Sequence, residues 1–167
     1  MGGPIATFIA SKRPEQCQHL ILLSSVGISI HRGFKKSAPR LTHWLLQRTM
    51  LHPVLIPLLR RAFTSMGFPR GLTSETMIHI ISHVSQFSFA DHHSNLLAWK
   101  KVPNSSQRTA MIFTTNDRLI EEHIYQELNE LLQPAVTLQF SSGGHNPQKE
   151  HAETIAAQLQ EWIQKSF

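Results

Sequence analysis

Two polar residues stand just past two short apolar runs, and their chemistries are complementary. Asp117 follows the run 110–115 (AMIFTT) by way of Asn116. His145 follows the run 135–140 (AVTLQF) by way of Ser141-Ser142-Gly143-Gly144. In a parallel α/β sheet, functional side chains gather beyond the carboxyl ends of the strands. If the two runs are neighbouring strands, about 4.8 Å apart, Asp117 and His145 emerge from the same edge. A carboxylate that accepts a hydrogen bond from an imidazole fixes its tautomer and stabilises the imidazolium, as in two-thirds of a Ser-His-Asp triad. Gly143 and Gly144 let the loop bend so that the ring points inward. Taken singly, the aspartate reads as a turn former and the Gly-Gly-His stretch as only a loop. At matching strand ends the catalytic pair becomes an even alternative.

Other candidate groups point to less. His79 and His83 share a helix face at i, i+4, but no glutamate follows His79 and no third ligand stands near, so no metal is expected. His92-His93 reads the same way, as unliganded helix histidines. Cys17 has no base near it in sequence and reads as a structural thiol. Nothing in the chain calls for a cofactor.

The elements that must position Asp117 and His145 follow from periodicity. Runs 20–26 (LILLSSV), 110–115 and 135–140 read as buried strands. Between the last two, Ile120, Ile124, Leu128 and Leu131 recur at helical spacing over 119–132, and Pro134 stops that helix. A β-α-β unit with parallel strands results. A final helix spans 148–164, with Ile155, Leu159 and Trp162 on its apolar stripe. The middle reads as helices over 41–51, 54–63, 74–87 and 91–101, punctuated by Pro53 and the turn 66–71. Three regions are therefore expected: 1–30, a helix and first strand; 31–103, a helical insertion; and 104–167, a β-α-β-α end carrying acid and base.

The segment 112–121 (IFTTNDRLIE) resembles the strand and acid turn of α/β-hydrolases, and 137–151 (TLQFSSGGHNPQKEH) resembles their last strand and histidine loop. That family places its nucleophile in a G-x-S-x-G elbow, often followed by another glycine. Met1-Gly2-Gly3 matches the end of that motif, and 4–13 the helix after it. The helical region 31–103 resembles the family's cap, inserted at the usual place. The resemblance implies an α/β fold comprising the C-terminal part of an α/β-hydrolase, with three parallel strands, flanking helices and the cap. It implies Asp117 as triad acid, His145 as general base, and the Met1 backbone N–H as an oxyanion donor. The serine would fall one position before Met1, so the expectation is a truncated family member without its nucleophile. The parent activity would be hydrolysis of an ester- or amide-type small-molecule acyl substrate. Asn116 and Thr115 replace the more usual Gly-x before the acid. Trp44 and Trp99 are pocket candidates should the cap cover the site. Ser24 and Ser25 close the first strand at the correct edge but lack an elbow. Without an elbow strand, 20–26 is left with an unpaired apolar edge, so a poorly soluble or partly molten chain is expected.

Charge is segregated along the chain. From Gln16 to Ser74 there is no Asp or Glu, while eight Lys and Arg fall there; after Lys100, eight carboxylates face five Lys and Arg. These basic residues sit among Leu, Ile, Val and Pro without interleaved stacking aromatics, which argues against nucleic acid. They read as a solvated helical face. The alternative is a non-catalytic module whose basic cap meets an anionic membrane or an acidic partner. A single cysteine excludes an internal disulfide and suits a reducing, cytoplasmic setting. No apolar run approaches the roughly 20 residues of a membrane span.

Overall fold

The computed structural model describes residues 2–37, 39–65 and 70–165, with backbone only for Gly33, Lys36 and Ser37. Three strands form one sheet in the order β1-β2-β3: β1 is Leu20–Leu23, β2 Thr109–Thr114 and β3 Val136–Phe140. Both pairings are parallel, with Leu20 opposite Thr109 and Ala110 opposite Val136. Every residue of β2 is buried, as expected of a central strand covered on both faces. β1 stops earlier than 20–26 because Ser24 turns into the left-handed region, at φ 43°.

The chain divides into two units. The first combines Met1–His31 with Phe89–Phe167 and holds the sheet. Its helices are α1 (Gly2–Lys12), α6 (Phe89–Lys100), α7 (Glu122–Leu132) and α8 (Gln148–Lys165). Leu22, Met111 and Phe113 from the sheet pack with Ala10 of α1, Leu96 and Trp99 of α6, and Ile124 and Leu128 of α7. The second of the two opening glycines has a structural reason here. A Cβ on Gly3 would collide with the Ser25 side chain, so the start of α1 sits directly on the segment after β1. The stretch 91–101, read from sequence as part of the insertion, lies with this unit. Its Leu96 and Trp99 are fully buried in the sheet's core, and His92 Nε2 meets Val26 O at 3.1 Å.

The second unit, Arg32–Ser88, is helical: α2 (Arg32–Ser37), α3 (Pro39–Leu46), a 3-10 turn at Thr49–Leu51, α4 (His52–Ser65) and α5 (Ser74–Ser85). Its own small core joins Leu46, Phe63, Met77 and Ile81. The Thr73 hydroxyl caps α5 by accepting from Thr76 N at 3.1 Å. The sequence periodicity missed α2, a six-residue helix with too few turns to show an apolar stripe. Among the described residues, no helix is long and apolar enough to cross a membrane.

Candidate active site

Asp117 sits in the turn leaving β2, and its carboxylate organises that turn. Oδ1 accepts from Leu119 N at 2.7 Å and Ile120 N at 3.2 Å. These two N–H groups are tied to the acid, and α7 starts at Glu122 rather than at 119. Oδ2 accepts from the Tyr125 phenol at 2.6 Å and from His145 Nδ1 at 2.8 Å. Burial alone, the largest effect, would raise the carboxyl's pKa. The His145 hydrogen bond and charge, then Tyr125 and Leu119 N–H, together hold it below the ordinary value. The acid is therefore ionised. Because an ionised carboxylate can only accept, Nδ1 of His145 is the donor in this contact, and Nε2 is the ring nitrogen left for other partners.

The two partners differ in access. The Asp117 side chain is 1% exposed, whereas that of His145 is 28% exposed. The carboxylate is sealed while the imidazole can be reached.

The histidine loop is held by the neighbouring strand. Thr114 Oγ1 donates to Gly144 O at 2.7 Å, and Gly144 N donates to Asn116 Oδ1 at 2.9 Å. Gly143 takes φ 106°, and a Cβ there would approach Pro147 Cα to 3.0 Å. Gly143 is thus required by conformation and by space, and Gly144, at φ 57°, is favoured by conformation alone. Asn116, a departure from the usual Gly-x pattern, serves as the clamp on this loop.

Sequence reasoning missed Tyr125. It is the chain's only tyrosine, and it lies beside Ile124 on the buried side of α7. Its phenol is pushed up in pKa by burial, then by the charge and hydrogen bond of Asp117, so it remains a donor. Its polar tip on an otherwise apolar stripe is the one signal that could have marked it. His31 also adjoins the site, with Nδ1 3.1 Å from Leu119 O; burial lowers its pKa.

The remaining candidates take other places. Ser24 is buried beside the Tyr125 phenol, whose pKa its hydroxyl slightly lowers against the larger opposing effects. Ser25 Oγ donates to Val26 O at 3.2 Å. Neither hydroxyl is hydrogen-bonded to His145. Trp99 is fully buried, donates from Nε1 to Thr109 Oγ1 at 2.9 Å and carries the Arg108 guanidinium on its ring. Those contacts make it a core residue of the first unit rather than a pocket wall. Trp44, in the second unit, is half exposed with Arg48 over its ring at 5.0 Å. Met1 lies outside the described residues. Cys17 is half-buried, and burial raises its thiol pKa against the opposing charge of Arg108, the reverse of what a nucleophile needs. His79 pairs loosely with Glu75 at 3.7 Å on the surface. Among the described residues, no group of three or more His, Cys, Asp or Glu is arranged to hold a metal ion.

Comparison with curated proteins gives no match. Among solved structures, the chain is similar to a thioesterase domain from a curacin biosynthetic pathway. The identity is 18% and the TM-score 0.48, over 95% of this chain and 63% of that one. This chain thus spans less than two thirds of that domain's length. Residues 1–162 match the model of a family described as "Alpha/beta hydrolase of unknown function (DUF1057)". The chain, with its parallel sheet and flanking helices, belongs to that α/β-hydrolase family.

Proposed function

We propose that Asp117 and His145 are the acid and base of a Ser-His-Asp hydrolase acting on a small-molecule ester or amide-type acyl substrate. The observation that carries this reading is the 2.8 Å contact from His145 Nδ1 to the buried, ionised Asp117. In such a site the imidazole Nε2 takes the serine proton during attack and returns it to the leaving group. Among the described residues no serine hydroxyl is hydrogen-bonded to His145, which supports a nucleophile supplied from outside these 167 residues. The family's elbow would place it one position before Met1, whose backbone N–H would be an oxyanion donor. By itself the chain would then form no acyl-enzyme and be inactive. The helical unit is the cap in this reading. Cys17, free and half-buried, suits a cytoplasmic protein. A basic cap that meets a membrane or an acidic partner is compatible with this hydrolase reading.

The test is active-site labelling with a fluorophosphonate. The 167-residue chain should remain unlabelled. The product of the reading frame extended upstream should be labelled at a serine directly preceding Met1, and His145→Ala should abolish that labelling. Labelling of the 167-residue chain at Ser24 or Ser25, or labelling that survives His145→Ala, would overturn the assignment.

A further inference from the structure

Helix α4 is apolar on both sides. Leu55, Ile56, Leu59 and Phe63 turn inward onto the unit's core with Met77 and Ile81. On the outward side, Val54 and Leu58 of α4 and Met50 of the 3-10 turn before it recur every four residues and are 65%, 60% and 90% exposed. An exposed apolar row of this kind marks an interaction surface. Its C-terminal end is basic. Pro57, Arg60, Arg61, Thr64, Ser65 and Arg70 line an open cavity of about 640 Å³, chiefly with their apolar atoms, so the three arginines contribute their stems to it.

The charge of the unit selects the occupant. Arg32–Ser88 contains eight Lys and Arg and a single carboxylate, Glu75. Such a surface repels a second copy of itself and attracts an anionic one. The row is aliphatic, without the stacked aromatics of a single-stranded nucleic-acid site. It is also a ridge along α4 and the 3-10 turn before it, which a fluid acyl boundary accepts without a matching groove. On α3, Leu41 and Trp44 are likewise more than half exposed, with Arg48 on the Trp44 ring. A tryptophan beside an arginine suits the headgroup level.

We propose that α4 is a docking surface for an anionic phospholipid bilayer. Met50, Val54 and Leu58 enter the acyl boundary, and Arg60, Arg61 and Arg70 hold lipid phosphates. This surface uses neither Asp117 nor His145, so it stands or falls apart from the hydrolase reading.

Flotation of the 167-residue chain with phosphatidylcholine vesicles, with and without phosphatidylserine, tests it; bound protein floats and aggregate sinks. Binding is expected to the phosphatidylserine vesicles at low salt, with release at high salt. Val54→Gln with Leu58→Gln should weaken partition at least about tenfold. Arg60→Gln with Arg61→Gln should weaken it about tenfold or more and flatten the salt dependence. All four positions are exposed, so far-UV circular dichroism should match the parent. Trp44 emission should shift to the blue on vesicles, and Trp44→Phe should remove the shift. Several results would overturn the proposal. They are no flotation with phosphatidylserine vesicles at low salt, equal binding to uncharged vesicles, and full binding by the Val54/Leu58 variant. A preference for polyglutamate over vesicles would instead make the partner an acidic protein.

Discussion

Tyr125 and His145 donate to the same oxygen. The phenol lies 2.6 Å and the imidazole Nδ1 2.8 Å from Asp117 Oδ2, one from a helix and the other from a loop. The carboxylate is therefore fixed on both sides, by Tyr125 as well as by His145. Tyr125→Phe removes a buried donor to a charged acceptor and should cost about 1.5–3 kcal/mol of stability, read by urea denaturation. A loss below about 0.5 kcal/mol would mean that the phenol contributes nothing to holding the acid.

The two loop glycines should not tolerate alanine equally. Gly143 combines φ 106° with a Cβ position 3.0 Å from Pro147 Cα, whereas Gly144 has φ 57° and open space around it. Gly144→Ala should cost roughly 1 kcal/mol, the ordinary penalty of a left-handed residue. Gly143→Ala should cost more, about 2–3 kcal/mol, because strain and contact add. Thermal unfolding of the pair checks the order, and a reversed order would contradict the loop geometry.

Stability should respond to pH in two windows. His31 and His92 are lowered in pKa mainly by burial, each partly offset by a backbone hydrogen bond. The unfolded chain then binds more protons than the folded one below the ordinary histidine value of 6.5. Stability should therefore be full above about pH 6.5 and fall as the pH drops beneath it. Asp117 is lowered from 3.8, so its contribution is present above that value and is lost as pH falls through its folded pKa. Denaturant midpoints across this range should show both declines. His92→Gln should flatten the upper one, and Asp117→Asn should remove the lower one.

Among the described residues β1 pairs on one side only, with β2, and Ile21 on it is 39% exposed. An apolar strand edge is a template for association. Ile21→Lys should raise the concentration at which light scattering begins while leaving stability within about 0.5 kcal/mol. Unchanged scattering would place the aggregation elsewhere.

The parallel sheet and the Asp117–His145 pair were legible because strand ends and their polar followers are local in sequence. The 110–115 and 135–140 runs each missed the observed strand by only a residue, since buried runs bounded by turns leave little choice. Tyr125 was hidden by that same logic: helical periodicity counts it as core, and only the partner across the turn reveals the hydroxyl's use. The position of 91–101 was equally hidden. Its apolar residues say that it packs, but Leu96 and Trp99 do not say against which neighbour. The end of β1 at Ser24 depends on a single φ, which no composition signals.

The clamp on Gly144 has a consequence for the sheet itself. β3 has no fully buried residue, so burial alone specifies its alignment weakly. A two-residue slip against β2 would keep the same side chains on the same face while moving them roughly 6.6 Å along the strand. Such a slip would separate Thr114 from the Gly144 carbonyl and Asn116 from the Gly144 N–H. The residues that present the base thus also act as a gauge of strand alignment, and a misregistered sheet would have no site.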